Sequence, residues 1–383
     1  MSEMVAIKPR LQDTTLSLLL DEIRSRRADF EKLTYIPTDI VAKLQQIGVY
    51  RAFVPKALGG DELSPKAFLE LIETLATADA STAWVASFGV SSTYLAALPQ
   101  ETFESIYGSD PDAVFAGSIF PPQAADKVDG GFNVKGRWPY CSGCMGASII
   151  GAGIKTDDNN KGSLPRIAVM PRSKVAIKHI WDTVGLSATG SHDIVVEDVF
   201  VPEEWTFVRG SQAKRSEPIF RYPSMGLAAQ VLAVVSLGTA REALNWVHRE
   251  AADKPSITGA PSIGARPHIQ AEMAKAEARL RSARAFFYDT TEEVWQSILA
   301  GDDVSLDLRL RLRLSATNAA NEGAAVTQAA FYMGGASAIN RGHTLVRCFM
   351  DAAAVAQHAF LGLGTWTAAG AVLFDQPTMP GYP

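Results

Sequence analysis

The chain has 383 residues, 47% of them hydrophobic and 20% charged, a globular composition with length for two or three packed sub-domains. Its net charge of −5 comes without any Lys/Arg run long enough to follow a phosphate backbone, which argues against a nucleic-acid partner. MSEMVAIKPR at the amino end lacks the apolar core of a signal peptide, and the longest apolar run, around Ala228–Leu237, stops short of the roughly 18 residues of a membrane span, so the expectation is a cytoplasmic protein with no membrane association.

From Leu11 to about Tyr107, apolar residues recur three and four apart (Ile40, Leu44, Ile47; Phe68, Leu71, Ile72, Leu75), which predicts helices. Pro37-Thr38 and Ser64-Pro65 supply start signals, and YRAFVPKALGGDELSP connects two of them. Past Asp112 the pattern shifts to short Val/Ile/Phe-rich runs bounded by turn residues: AVFAGSIF, VDGGFNVKGRW, SIIGAGI, RIAVMP, KVAIKHI and DIVVEDVFVP. These predict an antiparallel β-domain ending near Phe207. From Phe220 to Leu373 the helical period returns, and Ile269, Met273, Ala276, Leu280, Ala283, Phe287, Thr290 and Val294 trace the seam of one long packed helix. Four such helices make a bundle. Leu306–Leu314 alternates strictly like a strand, yet Ala- and Asn-rich sequence continues it to Gly323 without a turn signal. A lone strand in a bundle would leave its ladder groups unpaired, so a helix is expected there. The expected class is α+β, mostly α: a helical domain over 1–112, a β-barrel domain over 113–212 and a helical bundle over 213–383.

The segment GRWPYCSGCMG sets Cys141 and Cys144 together, with Cys348 the only other cysteine. An odd count without an export signal points to reduced thiols. A structural zinc site needs a second close pair of ligands, which is missing, and the six histidines are scattered without an HExxH arrangement, so no metal is expected. A thioredoxin-like CxxC opens a helix, whereas Gly143 and Gly146 break this segment and strand-like sequence follows it. Two readings stay open on these residues alone. The small side chains behind Trp138 and Tyr140 either lie flat against a planar ring and offer it backbone N–H groups, or only pack a tight turn.

A second turn, VGLSATGSHDIVVEDVFVPEEW at 184–205, follows in the same β-domain. Together the two stretches resemble the acyl-CoA dehydrogenase fold family, in which a Trp/Ser/Gly strand segment lies against a flavin and a Ser-containing turn precedes an E-D-V-x-V-P strand. GGASAIN at 334–340 and HTLVRCFMDAAAVAQHA at 343–359 are similar to that family's Gly-Gly turn and Arg/Asp helix. The resemblance implies a helical domain, a β-barrel domain and a four-helix bundle around a flavin held by Trp138, Tyr140, Cys141, Ser142, Gly143, Thr189, Ser191, Gly334 and Gly335. Two departures stand out. Cys141 replaces a common serine, and the usual R-D pair is Met350-Asp351, with Arg347 one helical turn earlier at a spacing that allows an ion pair.

Dehydrogenases of this family remove a proton with a glutamate. Here Ala356, Gln357, His358, Ala359 and Phe360 follow the Arg/Asp helix, no carboxylate falls between Asp351 and Asp375, and none falls between Tyr222 and Arg241. WPYCSGC and AAAVAQHA are similar instead to the motifs of the oxygenase branch, whose reduced flavin and O₂ form a C4a-hydroperoxide that passes an oxygen to an aromatic ring. By that resemblance His358 is the catalytic candidate, with Ser142, and Cys141 beside it, at flavin N5. SITGAPSIGAR lacks the arginine that holds an FAD pyrophosphate, which favours reduced FMN, FMNH₂, with FAD as the alternative. No G-x-G-x-x-G follows a strand, so a separate NAD(P)H-flavin reductase is the implied partner.

The implied substrate is a small aromatic of phenol or indole type, narrowed by overall similarity to indole or indole-3-acetate. Phe88, Tyr94, Phe120, Tyr222 and Phe360 are its candidate pocket. The resemblance also implies a homotetramer, with Ala-rich faces at 316–330 and 352–371 for close helix packing. A dehydrogenase or nitroalkane-oxidase-like flavoenzyme with a displaced base is the alternative, and a catalytically silent helical scaffold a third reading.

Overall fold

The computed structural model describes residues 12–156, 164–251, 259 and 261–383. The MSEMVAIKPR stretch, most of TDDNNKGSLPR and part of SITGAPSIGAR lie outside the described residues.

Six helices come first: α1 (Gln12–Leu33), α2 (Thr38–Gln46), α3 (Pro65–Ala78), α4 (Ala80–Ala86), α5 (Ser92–Leu95) and α6 (Gln100–Tyr107). Their starts obey local chemistry. Ser64 Oγ accepts from the Ala67 N–H at 3.2 Å ahead of Pro65. Asp79 Oδ2 accepts from both the N–H and the hydroxyl of Thr82 at 2.7 Å, which opens α4 one residue after α3 closes. The second of these caps matters most, because it fixes the helix that carries Trp84.

Seven strands follow: β1 (Phe115–Val128), β2 (Gly131–Cys141), β3 (Ile149–Lys155), β4 (Arg166–Pro171), β5 (Ala176–Lys178), β6 (His192–Pro202) and β7 (Thr206–Val208). They form one seven-stranded sheet in the order β5-β6-β2-β1-β3-β4-β7, the β-domain expected between the two helical regions. It is antiparallel except for β1 and β3, which run parallel. The register of β1 on β3 slips between Ser118 and Gln123, across Pro121-Pro122; β1 pairs with β3 on both sides of that slip, as far as Ala124, and with β2 from Ala125 to Val128.

The remaining helices are α7 (Pro218–Arg221), α8 (Ser224–Trp246), α9 (Pro267–Leu299), α10 (Leu306–Met333), α11 (Thr344–Ala356) and α12 (Leu363–Leu373). The expected seam of α9 is buried from Ala276 to Val294, and the strand-like Leu/Arg alternation lies inside α10, capped by Ser305. Helices α8, α9, α10 and α11 pack as the bundle, α12 lies on α10, and α3 closes against α8. With its extension to Arg249, α8 is long and apolar enough to cross a membrane, but 94% of its apolar window is buried; a helix apolar on all sides belongs in a core. The Ala-rich 316–330 face is also used within the chain. Ala316, Ala319 and Ala320 are buried, and Ser236 of α8 donates to the Ala320 carbonyl at 2.9 Å, so close packing on this face is already met in part by α8.

Candidate active site

Three segments meet where the β-domain faces the helices: the end of β2 with its following loop, the loop 184–191 before β6, and the residues just after α11. The 184–191 loop is held from several sides. Leu186 N–H donates to Asp351 Oδ1 at 2.7 Å, Ala188 N–H to Ser81 Oγ at 3.2 Å, and Gly143 N–H to the Thr189 carbonyl at 2.8 Å. At Gly185 the loop passes so near α11 that a Cβ would fall 2.2 Å from the Met350 carbonyl oxygen. Glycine is required there for close approach. Asp351 thus bonds to backbone rather than forming the expected ion pair with Arg347, whose Nη2 is buried without a partner. Burial, then the nearby Asp79, push the Asp351 carboxyl up to about 7.

Between the loops runs a ladder of hydroxyls. Trp84 Nε1 donates to Ser142 Oγ at 3.2 Å, Ser142 and Ser191 are joined at 2.6 Å, Ser191 and Thr189 at 2.7 Å, and Thr189 Oγ1 donates to the Leu186 carbonyl at 3.0 Å. An indole N–H only donates and a carbonyl only accepts, so every proton along the ladder has a fixed direction, from Trp84 towards Leu186. Ser142 Oγ keeps one lone pair free. Gly143, in a left-handed conformation at φ 73°, adds no side chain beneath Val85 and Phe88, which a Cβ would meet at 3.4 and 3.7 Å.

His358 completes the group. Its ring stands edge-on to Trp84 at 5.6 Å and to Phe360 at 5.3 Å. Burial, reinforced by the Arg313 charge, lowers its pKa to about 4, so the imidazole is neutral at ordinary pH. Nδ1 accepts from the Phe360 N–H at 3.2 Å, which leaves the ring proton on Nε2. The site therefore offers a hydrogen-bond donor where a dehydrogenase needs a base, and no carboxylate is among the charges that act on His358.

The other sequence candidates divide. Trp138 is buried with its Nε1 bonded to the Gly153 carbonyl at 2.7 Å, so it supports the sheet from inside. The register of β2 slips between Trp138 and Cys141; this bulge turns both inward and leaves Tyr140 69% exposed at φ 61°. Cys141 is fully buried against Cys144, its thiol raised by that contact and by burial, which corrects its assignment to flavin N5. Tyr94 lies under the Arg209 guanidinium at 3.9 Å. The Tyr222 hydroxyl bonds to Gln230 Oε1 at 3.0 Å in the bundle interior, Phe120 is 55% exposed on β1, and neither makes a ring contact with Trp84, His358 or Phe360. Gly334 and Gly335 end α10 at the far turn of the bundle, and no described bond joins them to the 138–143 segment of the same chain. The cavity of about 440 Å³ between Val247, Ile263 and Met273 lies elsewhere and includes none of these residues. Sequence reasoning missed Trp84. A tryptophan in the seven-residue α4 gives no periodicity, and its only signal is that a buried indole N–H needs an acceptor.

A helical domain, a sheet and a bundle in that order, with a hydroxyl ladder and an imidazole at their junction, have the acyl-CoA dehydrogenase architecture. Family models agree: residues 9–101 match the acyl-CoA dehydrogenase N-terminal domain and residues 230–362 the C-terminal domain. An indole-3-acetate monooxygenase of Pseudomonas putida is 52% identical over 95% of this chain and 94% of its own length. The oxygenase subunit HsaA, a flavin-dependent monooxygenase of Rhodococcus jostii, is 29% identical over 90% of this chain and 93% of its own. The crystal structure of the 3-HSA hydroxylase from Rhodococcus sp. RHA1 superimposes with a TM-score of 0.88, at 28% identity, covering 96% of this chain and 97% of the other. The chain belongs to the acyl-CoA dehydrogenase fold family, in its branch of two-component flavin-dependent monooxygenases. It is an oxidoreductase, a flavin-dependent monooxygenase.

The residues present fit a flavin. The free lone pair of Ser142 Oγ suits the N5–H that only the reduced ring carries, the exposed Tyr140 ring and Gly143 leave room for a flat group, and the tie between Gly143 and Thr189 keeps both loops in place.

Proposed function

We propose that this chain is the oxygenase component that hydroxylates indole-3-acetate, taking reduced FMN from a separate NAD(P)H-flavin reductase in the cytoplasm. Reduced FMN would supply the activation of O₂. The chain's own residues do the rest. Ser142, held by Trp84 and Ser191, accepts a hydrogen bond from the N5 edge. His358 Nε2–H donates to the oxygen being delivered and, with no charge of its own, neither protonates it early nor removes a proton from the substrate. Trp84 and Phe360 hold the imidazole ring, each standing edge-on to it.

The observation that carries this reading is the neutral imidazole of His358, surrounded by aromatic rings and free of carboxylates. FMN is favoured over FAD because the 256–266 segment lacks a pyrophosphate-binding arginine at the expected spacing. Assembly as a homotetramer would cover the exposed Tyr332, Ile339, Leu363 and Phe374 and bring the Gly334-Gly335 turn of one copy to the site of another.

A single-turnover experiment tests the proposal. Protein with one equivalent of FMNH₂ is mixed with oxygenated buffer containing indole-3-acetate, indole or p-hydroxyphenylacetate, and product is counted against H₂O₂. Indole-3-acetate should give close to one product per flavin. Full conversion to H₂O₂ with every aromatic would refute the substrate assignment.

A further inference from the structure

Two guanidinium groups are buried beside the site without an acid to balance them. Arg209, just after β7, and Arg313, in α10, are 5% and 2% exposed. Arg209 stacks on Tyr94 at 3.9 Å. Arg313 lies between the rings of Phe360 at 5.4 Å and Tyr382 at 4.9 Å. Among the described residues its only polar contacts are long ones, to the Met225 carbonyl at 3.4 Å and the Phe360 carbonyl at 3.5 Å, while its Nε and the Tyr382 hydroxyl are both buried without a partner. No carboxylate is among the charges that act on either arginine, and the two repel one another.

Burying a cation without a counter-charge is among the more expensive arrangements available to a fold. Arg215 and Arg51, which are less deeply buried, do meet acids: Arg215 pairs with Glu104 and Glu217, and Arg51 with Asp61 and Asp112. An oxyanion would satisfy Arg313 and its two orphaned donors together. The place is also right for a substrate. The Phe360 ring lies 5.3 Å from the His358 ring and 5.4 Å from the Arg313 guanidinium, and the Arg313 charge acts on the His358 imidazole. One aromatic ring thus separates the oxygen-delivering donor from the cation, and in an arylacetate one methylene separates the reacting ring from the acid.

We propose that Arg313 anchors the carboxylate of an arylacetate substrate, with the Tyr382 hydroxyl as a second donor and Arg209 adding positive potential behind it. This rests on the monooxygenase reading above and deepens it, since it assigns a residue to substrate selection. The other oxyanion such a cluster could hold is the flavin phosphate.

The test compares wild type with Arg313→Met and Arg313→Lys, using indole-3-acetate and its neutral counterpart 3-methylindole. Dissociation constants are measured in the anaerobic complex with FMNH₂, and kcat/KM with an added flavin reductase. Arg313→Met should lower the preference for indole-3-acetate over 3-methylindole by about 100-fold in both measurements, with Arg313→Lys intermediate because a point charge cannot form the bidentate fork. Equal weakening of both ligands, or an unchanged ratio, would overturn the proposal. So would selective loss of affinity for FMN over riboflavin, which would assign the cluster to phosphate. Should the methionine variant fail to fold, the lysine variant decides alone: a ratio within about twofold of wild type counts against the anchor. Wild type that oxidises neither indole would defeat the monooxygenase reading instead, and the binding ratio would still judge Arg313.

Discussion

At His358 the controlling quantity is the protonation state. Its pKa of about 4 lies below the ordinary value of 6.5 because burial and Arg313 disfavour the cation. The folded state therefore holds the neutral form, and the linked stability is present above about pH 6.5 and lost as pH falls towards about 4. Product formed per FMNH₂ should accordingly be flat from about pH 6 to about pH 9 and fall only in more acid solution; an inflection at the ordinary histidine value would show an imidazole exposed to solvent. His358→Ala should retain flavin but lower that yield at least about tenfold, with H₂O₂ rising in step. Trp84→Phe keeps the ring beside His358 and removes the donor to Ser142. Thermal unfolding should then report a loss of about 1 kcal/mol, with partial uncoupling in the same variant. His358 and Ser142 were legible as motif members. Cys141 was placed wrongly, because a bulge two residues upstream decides which way a side chain faces and nothing in WPYCSGC announces it.

Among the elements, the 184–191 loop and α11 depend on each other through Asp351. Its raised carboxyl favours the protonated acid in the fold, so its contribution is complete below the unfolded value near 3.8 and is lost as pH rises through about 7. Asp351→Asn keeps an acceptor for the Leu186 N–H and cannot ionise. Chemical denaturation should find this variant more stable than wild type by roughly 3–4 kcal/mol at about pH 8, with the gain shrinking as pH falls through about 5 towards about 4, and the opposite trend would mean that the carboxylate is the favoured form. The sequence marked Asp351 and suggested Arg347 as its partner. The true partner lies 165 residues away on the chain, a distance that helical spacing rules do not cover.

Across the whole molecule, the order of helices, sheet and bundle was readable because each domain keeps its own hydrophobic period over tens of residues. The parallel β1–β3 pair was not, since one long strand pairs with two neighbours along its length and no local signal says which residues meet which. Nor was the use of the Ala-rich 316–330 face, because small residues suit close packing within a chain as well as between chains. The apolar side chains left outside, with Leu363 85% exposed, carry the tetramer proposal. Leu363→Glu with Ile339→Glu should reduce the mass seen by light scattering and weaken FMNH₂ binding together; an assembly that keeps its mass would place the interface elsewhere.

The central claim is that a neutral imidazole serves oxygen delivery where a relative would use a carboxylate for dehydrogenation. Turnover of indole-3-acetate under ¹⁸O₂, with FMNH₂ supplied by a reductase and product read by mass spectrometry, tests it most directly. The account predicts one ¹⁸O atom from gas in each product molecule. Oxygen derived from water, or substrate oxidation that proceeds without O₂ while oxidised flavin is bleached, would contradict it.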